Sequence, residues 1–285
     1  MKKIIAAALC LVMVLALCAC GSTAKPDASS QPSKTPAATT ELTAMLTKIK
    51  DDYHSGTAGS SLTAASIAGE MLDWYIAAMP AAGDVTAEAT AFCAALDSSA
   101  KSAFIENLGE IYAAAMDTCG STGKDLLSSA GYTPKGSWTD ADARNLFDAV
   151  YAGTGAQAPV YAAIYSGNEQ ADGFVVNYAQ LDSLNPDSLV SALVEMEVLA
   201  EGTKVLSFDK GDGKTLKLDM SEQFGKQMSS TGTAGEYIYM GSLVNTFLAA
   251  YGADSITVTC QGKTITTGHA EYTEAMTMFS DNAAG

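Results

Sequence analysis

Apolar residues follow three regimes along this chain, and each predicts a different kind of structure. From Ile4 to Leu17 they run without interruption behind Lys2 and Lys3, and small residues come next. That is the charged, apolar and cleavage layout of a secretory signal, here over residues 1–19. Between residues 40 and 153 apolar positions return every three or four residues, the period of a helix with one buried face. Past Gly153-Thr154-Gly155, alternation and β-branched residues take over, the pattern of strands.

The helical stripes are individually legible. Leu42, Met45, Leu46, Ile49 and Tyr53 make the first, and Ile67, Met71, Trp74, Tyr75 and Met79 a second that stops at Pro80. Val85, Ala89, Phe92, Cys93 and Leu96 follow Asp84, a candidate N-cap whose carboxylate can accept from the open N–H groups of a first turn. The clearest stripe is Phe104, Leu108, Ile111, Tyr112, Ala115 and Cys119, with Gly120 as its C-cap. Thr139 with Asp142 three residues on resembles a capping box with a shortened acid, ahead of Leu146, Phe147, Val150 and Tyr151. Each stripe needs another to cover it, so residues 40–153 read as a small all-α domain.

In the second half, 159–165 and 173–178 read as strands, and Pro186 opens a helix that runs to about Leu199. Lys204–Phe208 and Thr215–Leu218 flank Asp209-Lys210-Gly211-Asp212-Gly213-Lys214, a hairpin signal. A longer helix over Ala234–Tyr251 and a strand over Ile256–Cys260 complete the order β-β-α-β-β-α-β. That order predicts a sheet with two helices packed on one face, and the chain as a whole is α+β.

The N-terminus narrows the setting. Leu17-Cys18-Ala19-Cys20-Gly21 fits the bacterial lipobox, and Cys20 is the residue expected to carry the lipid, since acylation at Cys18 would place Leu17 at the cleavage position. A plain transmembrane anchor is the competing reading, but the apolar run is shorter than the roughly 20 residues a span needs. Two acyl chains on one thioether hold firmly where one chain holds marginally. Residues 20–39 are mostly Ser, Thr, Ala, Lys and Pro without period, a tether between membrane and folded part.

Charge then excludes one class of partner. Removing Lys2 and Lys3 leaves 14 of the 16 basic residues against 32 acidic ones, a formal charge of −18, and Arg144 is the sole arginine. Phosphate binding draws on clustered Lys and Arg, so no nucleic-acid partner is expected. Anionic lipid repels such a surface as well, so the anchor must hold the chain at the membrane. After processing and acylation Cys93, Cys119 and Cys260 remain. Cys93 and Cys119 could pair across neighbouring helices, or stay reduced as small hydrophobes on apolar faces.

Several segments of the second half resemble the GerMN domain of bacterial GerM-type sporulation and germination lipoproteins. Leu199-Ala200-Glu201-Gly202-Thr203-Lys204-Val205 is similar to the family's Leu-Pro-x-Gly-Thr-Lys-Val, with Ala200 in the place of proline. Leu218-Asp219-Met220-Ser221 with Phe224 resembles its Asp-Leu-Ser strand end, and Ser242-Leu243-Val244-Asn245-Thr246 its second-helix signature. Val258 through Gly262-Lys263 and then Gly268-His269 resemble its closing strand and terminal Gly-His. The resemblance covers about residues 157–280 and implies an α/β unit similar to ring-building motifs, with envelope proteins as partners. The GerM type carries two such units, whereas a helical domain precedes the one here.

Physical chemistry gives these motifs local jobs. Gly202 suits a connection that needs positive φ, and Asp219 and Ser221 can bond local backbone where a strand ends. Asn245, polar within an apolar helix, is either a tie from helix to loop or a partner contact. His269 is either a surface or capping residue or a partner contact.

Candidate chemistry is sparse. His54 and His269 are the only histidines, and no nucleophile elbow, Walker loop, GxGxxG or Cys/His metal spacing occurs. The Asp209–Gly213 stretch would need a glutamate where Met220 stands to be a calcium loop, and reads as a turn. No catalytic residue, cofactor or metal is expected. The expected function is a non-catalytic scaffold or interaction module of the cell envelope, on the outer face of the membrane. The alternative is a cell-wall or small-ligand binder using a cleft between the domains, with Trp74, Trp138 and the tyrosines as candidate stacking groups, although at helical spacing such aromatics are more often core.

Overall fold

A computed structural model describes residues 36–54 and 62–281. The signal, Cys20 and most of the tether lie outside the described residues. Helices α1 (Pro36–Asp51), α2 (Ala64–Ala78), α3 (Ala82–Ala94), α4 (Ser98–Cys119), α5 (Gly123–Ser129) and α6 (Asp140–Thr154) come first. Their apolar stripes meet in one core that includes Leu46, Ile67, Phe104, Tyr112 and Phe147. Tyr112 and Phe147 stack at 4.8 Å with ring planes 4° apart.

Local chemistry sets the ends of these helices. Thr63 accepts from Ser66 N while Ser66 reaches back to Thr63 N, a capping box at α2. At α6 the expected box is present, with Asp142 N donating to Thr139 Oγ1 at 3.2 Å and Thr139 N to Asp142 Oδ2 at 2.8 Å. Gly155 closes α6 at φ 75°. Asp84 is not the N-cap of α3. Ala81 takes that position without a side-chain bond, and Asp84 lies in the first turn, where a carboxylate still favours the positive end of the helix dipole. Gly120 caps α4 in extended geometry, φ −78°. It is needed because a Cβ there would come within 2.8 Å of the Val176 carbonyl oxygen. The short helix α5 carries no stripe long enough to be read.

Beyond α6 the order is β1 (Val160–Gly167), β2 (Phe174–Leu181), α7 (Pro186–Glu195), β3 (Val205–Asp209), β4 (Thr215–Met220), α8 (Glu222–Ser229), α9 (Thr233–Tyr251), β5 (Ser255–Cys260), β6 (Lys263–Thr266) and β7 (Glu271–Tyr272). The expected order therefore holds, with α8, β6 and β7 added. The strands form two sheets. β1 and β2 pair antiparallel from Val160↔Leu181 to Gly167↔Phe174, and β3-β4-β5-β6-β7 form the other in that order, with β4 and β5 parallel.

Helix α9 is buried continuously from Met240 to Leu248 and packs on both β1 and β5. A helix apolar on all sides belongs inside. Its Leu243, Val244 and Phe247 share a second core with Leu189 and Leu193 of α7, Leu218 of β4 and Val258 of β5.

The β1–β2 hairpin belongs to both cores. Successive residues of a strand face opposite ways, so Tyr161 enters the helical core while Ala162 and Ile164 enter the second. Arg144 of α6 donates to the Tyr161 carbonyl oxygen at 2.8 Å. The hairpin's outer edges are also engaged: Ser121 exchanges two bonds of 2.8 Å with Val176, and Tyr165 N donates to Thr246 Oγ1 of α9 at 3.0 Å. Unpaired strand edges invite foreign strands, and here helix and loop groups occupy them at these points.

Candidate functional site

The two residues singled out for partner contact both meet one segment, the C-terminal strap of residues 267–281. It starts in a tight turn whose centre is a hydroxyl. Thr267 Oγ1 accepts from His269 N at 3.1 Å and Ala270 N at 3.0 Å and donates to Glu236 Oε1 at 2.7 Å. Tyr272 donates to the same carboxylate oxygen at 3.0 Å. Burial, then the carboxylate beside it, pushes the Tyr272 phenol well above its ordinary pKa. Glu236 is 2 % exposed, in the first turn of α9, and its Oε2 has no partner among the described residues. The positive end of the helix favours a carboxylate there.

Farther on, the strap crosses β5, α9 and the hairpin. Met276 and Ile256 exchange backbone bonds of 2.8 and 2.9 Å on β5, whose pairing with β6 is confined to Thr259 and Cys260. Asn245 is 1 % exposed, and both ends of its amide go to one residue. Nδ2 donates to the Phe279 carbonyl at 2.9 Å and Oδ1 accepts from Phe279 N at 2.7 Å. Of the two readings open for Asn245, the geometry carries the tie from helix to loop. Tyr237 hydroxyl donates to the Ser280 carbonyl, and Asp281 Oδ1 accepts from Phe174 N at 2.9 Å. Phe279 and Phe174 flank Tyr237 with ring centroids 5.2 and 5.7 Å away. They lie against Gly241, where a Cβ would come within 2.3 Å of Phe174 Cζ. His269 is exposed, and its backbone N–H serves the Thr267 turn.

Other expected roles shift. Gly202 has φ 83°, as its connection requires. Asp219 and Ser221 act across the fold and not locally. Asp219 accepts from Thr259 Oγ1 and Gly262 N, both at 2.7 Å, and Ser221 Oγ accepts from Lys204 N at 3.0 Å. Both partners are brought there by strand pairing, which local spacing does not reveal. The Asp209–Lys214 stretch is a turn: Asp209 accepts from Gly211 N at 2.9 Å, and Asp212 from Lys214 N and Thr215 N at 2.9 and 3.2 Å. Those N–H groups hold the Asp212 carboxyl below its usual range. Cys93, Cys119 and Cys260 are free thiols, and burial pushes Cys119 up to about 12.

Trp138 donates to Thr118 Oγ1 at 3.2 Å, and both tryptophans pack against the helical core. Trp74 also walls a cavity of about 620 Å³ together with Met45, Lys48, Glu70 and Lys135. That cavity lies between α1 and α2, inside the helical half and not between the halves. Among the described residues no group of three or more His, Cys, Asp or Glu could hold a metal ion. No described helix is long and apolar enough to cross a membrane.

Residues 132–266 match the model of the Germane family, described as sporulation and spore germination. The match takes in α6 ahead of the hairpin and ends before Gly268-His269. Among solved structures, the tandem GerMN domains of the sporulation protein GerM from Bacillus subtilis are 22 % identical, with 44 % of this chain and 46 % of that chain covered and a TM-score of 0.33. A putative lipoprotein from Clostridium perfringens is 14 % identical, with 42 % of this chain and 87 % of that chain covered and a TM-score of 0.27. The chain thus spans about half the length of the GerM tandem structure. No curated protein matches.

Proposed function

We propose that this chain is a lipoprotein held by Cys20 on the extracytoplasmic face of the membrane, where it serves as a non-catalytic scaffold or interaction module of the cell envelope in sporulation or germination. The match of residues 132–266 to a sporulation and germination family carries the reading. The charged, apolar and lipobox order of residues 2–21 supports the anchor. The hairpin supports a scaffold role, because a strand pair shared by two cores restrains both halves in one body. The GerMN-like unit then works through protein contacts, with the helical half between it and the tether.

Mass spectrometry of the mature N-terminus tests the anchor. Expected is a diacylglyceryl Cys20, and an unmodified residue or a soluble intracellular protein overturns it. Cross-linking in intact sporulating cells tests the scaffold, with recovery of a defined membrane-complex subunit expected and no partner above background as the contrary result. A second reading, a cell-wall ligand held at the Trp74 cavity, is favoured by that cavity's size and its Lys48–Glu70 rim. Retention on purified peptidoglycan that a Trp74→Ala variant loses would replace the scaffold reading with this one.

A further inference from the structure

We propose that the groove beneath the strap is a peptide-binding site, occupied in the resting chain by its own residues 276–281 and open to an extended partner segment that carries an aromatic residue two positions before a carboxylate. The proposal rests on the reading that the chain acts through protein contacts, and names the surface and the chemistry.

The groove is described by the ligand already in it. Asn245, in the middle of buried α9, offers one donor and one acceptor, and both are met by the backbone of Phe279. Such a pair recognises main chain of any sequence, so it sets register without selecting a side chain. Selection comes from the flanks. Gly241 leaves the surface flat where the Phe279 ring lies, beside Phe174 and Tyr237. The Phe174 N–H at the start of β2 takes the Asp281 carboxylate. An aromatic ring and a carboxylate two residues apart are therefore what the groove reads.

The occupant is held as a removable piece. Met276 makes one isolated bridge to Ile256 and not a ladder, and no strand or helix includes any residue from 273 to 281. Thr273, Glu274, Ala275, Thr277 and Met278 are exposed. The occupant's attachments are the Met276–Ile256 bridge, the bonds at Phe279, Ser280 and Asp281, and the packing of Met276 and Phe279 on the second core. A segment so held, outside any ladder, can open without global unfolding. Once open, Asn245 presents its donor and acceptor to whichever main chain next enters the groove. The same groove joins α9 to the hairpin, so an exchange of occupants bears on the contact between the two cores.

The test uses the full chain and a labelled synthetic peptide with the strap sequence, Glu274 to Asp281. In the double variant Phe279→Ala/Asp281→Ala, with strap anchors weakened, the peptide should bind at least tenfold more tightly than to the unaltered chain. Adding Asn245→Ala should abolish that binding. No binding to the folded double variant, or binding indifferent to Asn245→Ala, overturns the proposal. If the double variant does not fold, hydrogen exchange of the unaltered chain decides. The Phe174 and Phe279 amides should exchange together and at least tenfold faster than Leu218 and Val258, and exchange at the core rate overturns it. Failure here leaves Cys20 acylation and partner capture untouched, since those have their own readouts.

Discussion

The two halves are held together in different ways. In the helical half the longer elements announce themselves: α1 to α4 and α6 by a stripe at period 3.6, and α2, α4 and α6 also by a capping side chain at the start. In the α/β half the decisive contacts join distant residues. Asp219 on β4 closes onto Gly262, and Asn245 onto Phe279. Loss of a contact in the shared helical core is felt by every element packed there. Loss of a strap bond is felt chiefly by the segment it fastens.

The largest effect is expected at the centre of the helical core. Phe147→Ala removes a fully buried ring stacked on Tyr112 and should lower stability by about 3–5 kcal/mol, measured by urea unfolding. If the hairpin couples the halves, the loss appears in a single transition followed equally by both cores. Two separated transitions would break the coupling. Next comes Asn245→Ala, which leaves the Phe279 N–H and carbonyl without their partner. It should cost about 1–3 kcal/mol, with faster hydrogen exchange confined to the strap and the start of β2. Uniform acceleration across the molecule would erase the contrast between a local strap and a global core.

Smaller effects separate local from distant causes. Thr139→Ala removes a complete capping box and should cost about 1 kcal/mol, seen as a loss of protection in the first turn of α6. Gly202→Ala meets no steric obstacle but keeps φ at 83°, so thermal unfolding should show a loss of about 1 kcal/mol from backbone strain alone. Smallest under ordinary conditions is a pH effect. Burial and the Glu110 carboxylate raise the Tyr53 phenol from 10.0 to about 12. A raised folded-state pKa gives stability that is complete below pH 10 and lost as pH rises through about 12. Tyr53→Phe should therefore show a shallower decline over that window than the unaltered chain in alkaline titration of the unfolding midpoint.

The legibility of the fold follows the same division. The stripes of α1 to α4 and α6 were readable because 3.6-residue periodicity is a property of neighbours in sequence, as was the Thr139–Asp142 box. Helices α5 and α8 are too short for a stripe to emerge, and β6 and β7 span four and two residues. Asp84 looked like a cap because its residue type suits one, yet Pro80-Ala81 sets the start of α3 three residues earlier. Asn245 stood out as polar in an apolar helix, but the loop it ties lies 34 residues on. His269 is at the foot of the strap, where its backbone N–H bonds to Thr267 Oγ1.

Sequence alone determined the longer elements, their order, the turn at Gly202 and the lipobox expectation at Cys20, because propensity, capping and hydrophobic period act between residues a few positions apart. Tertiary structure decided that the strands divide into two sheets, that one hairpin serves two cores, that Gly120 yields room to Val176, and that Phe279 and Ser280 fasten α9. Those outcomes depend on which buried surfaces and unpaired backbone groups meet across many residues. No local pattern encodes such a meeting, since the same stripe or polar side chain is compatible with several partners until the chain has closed.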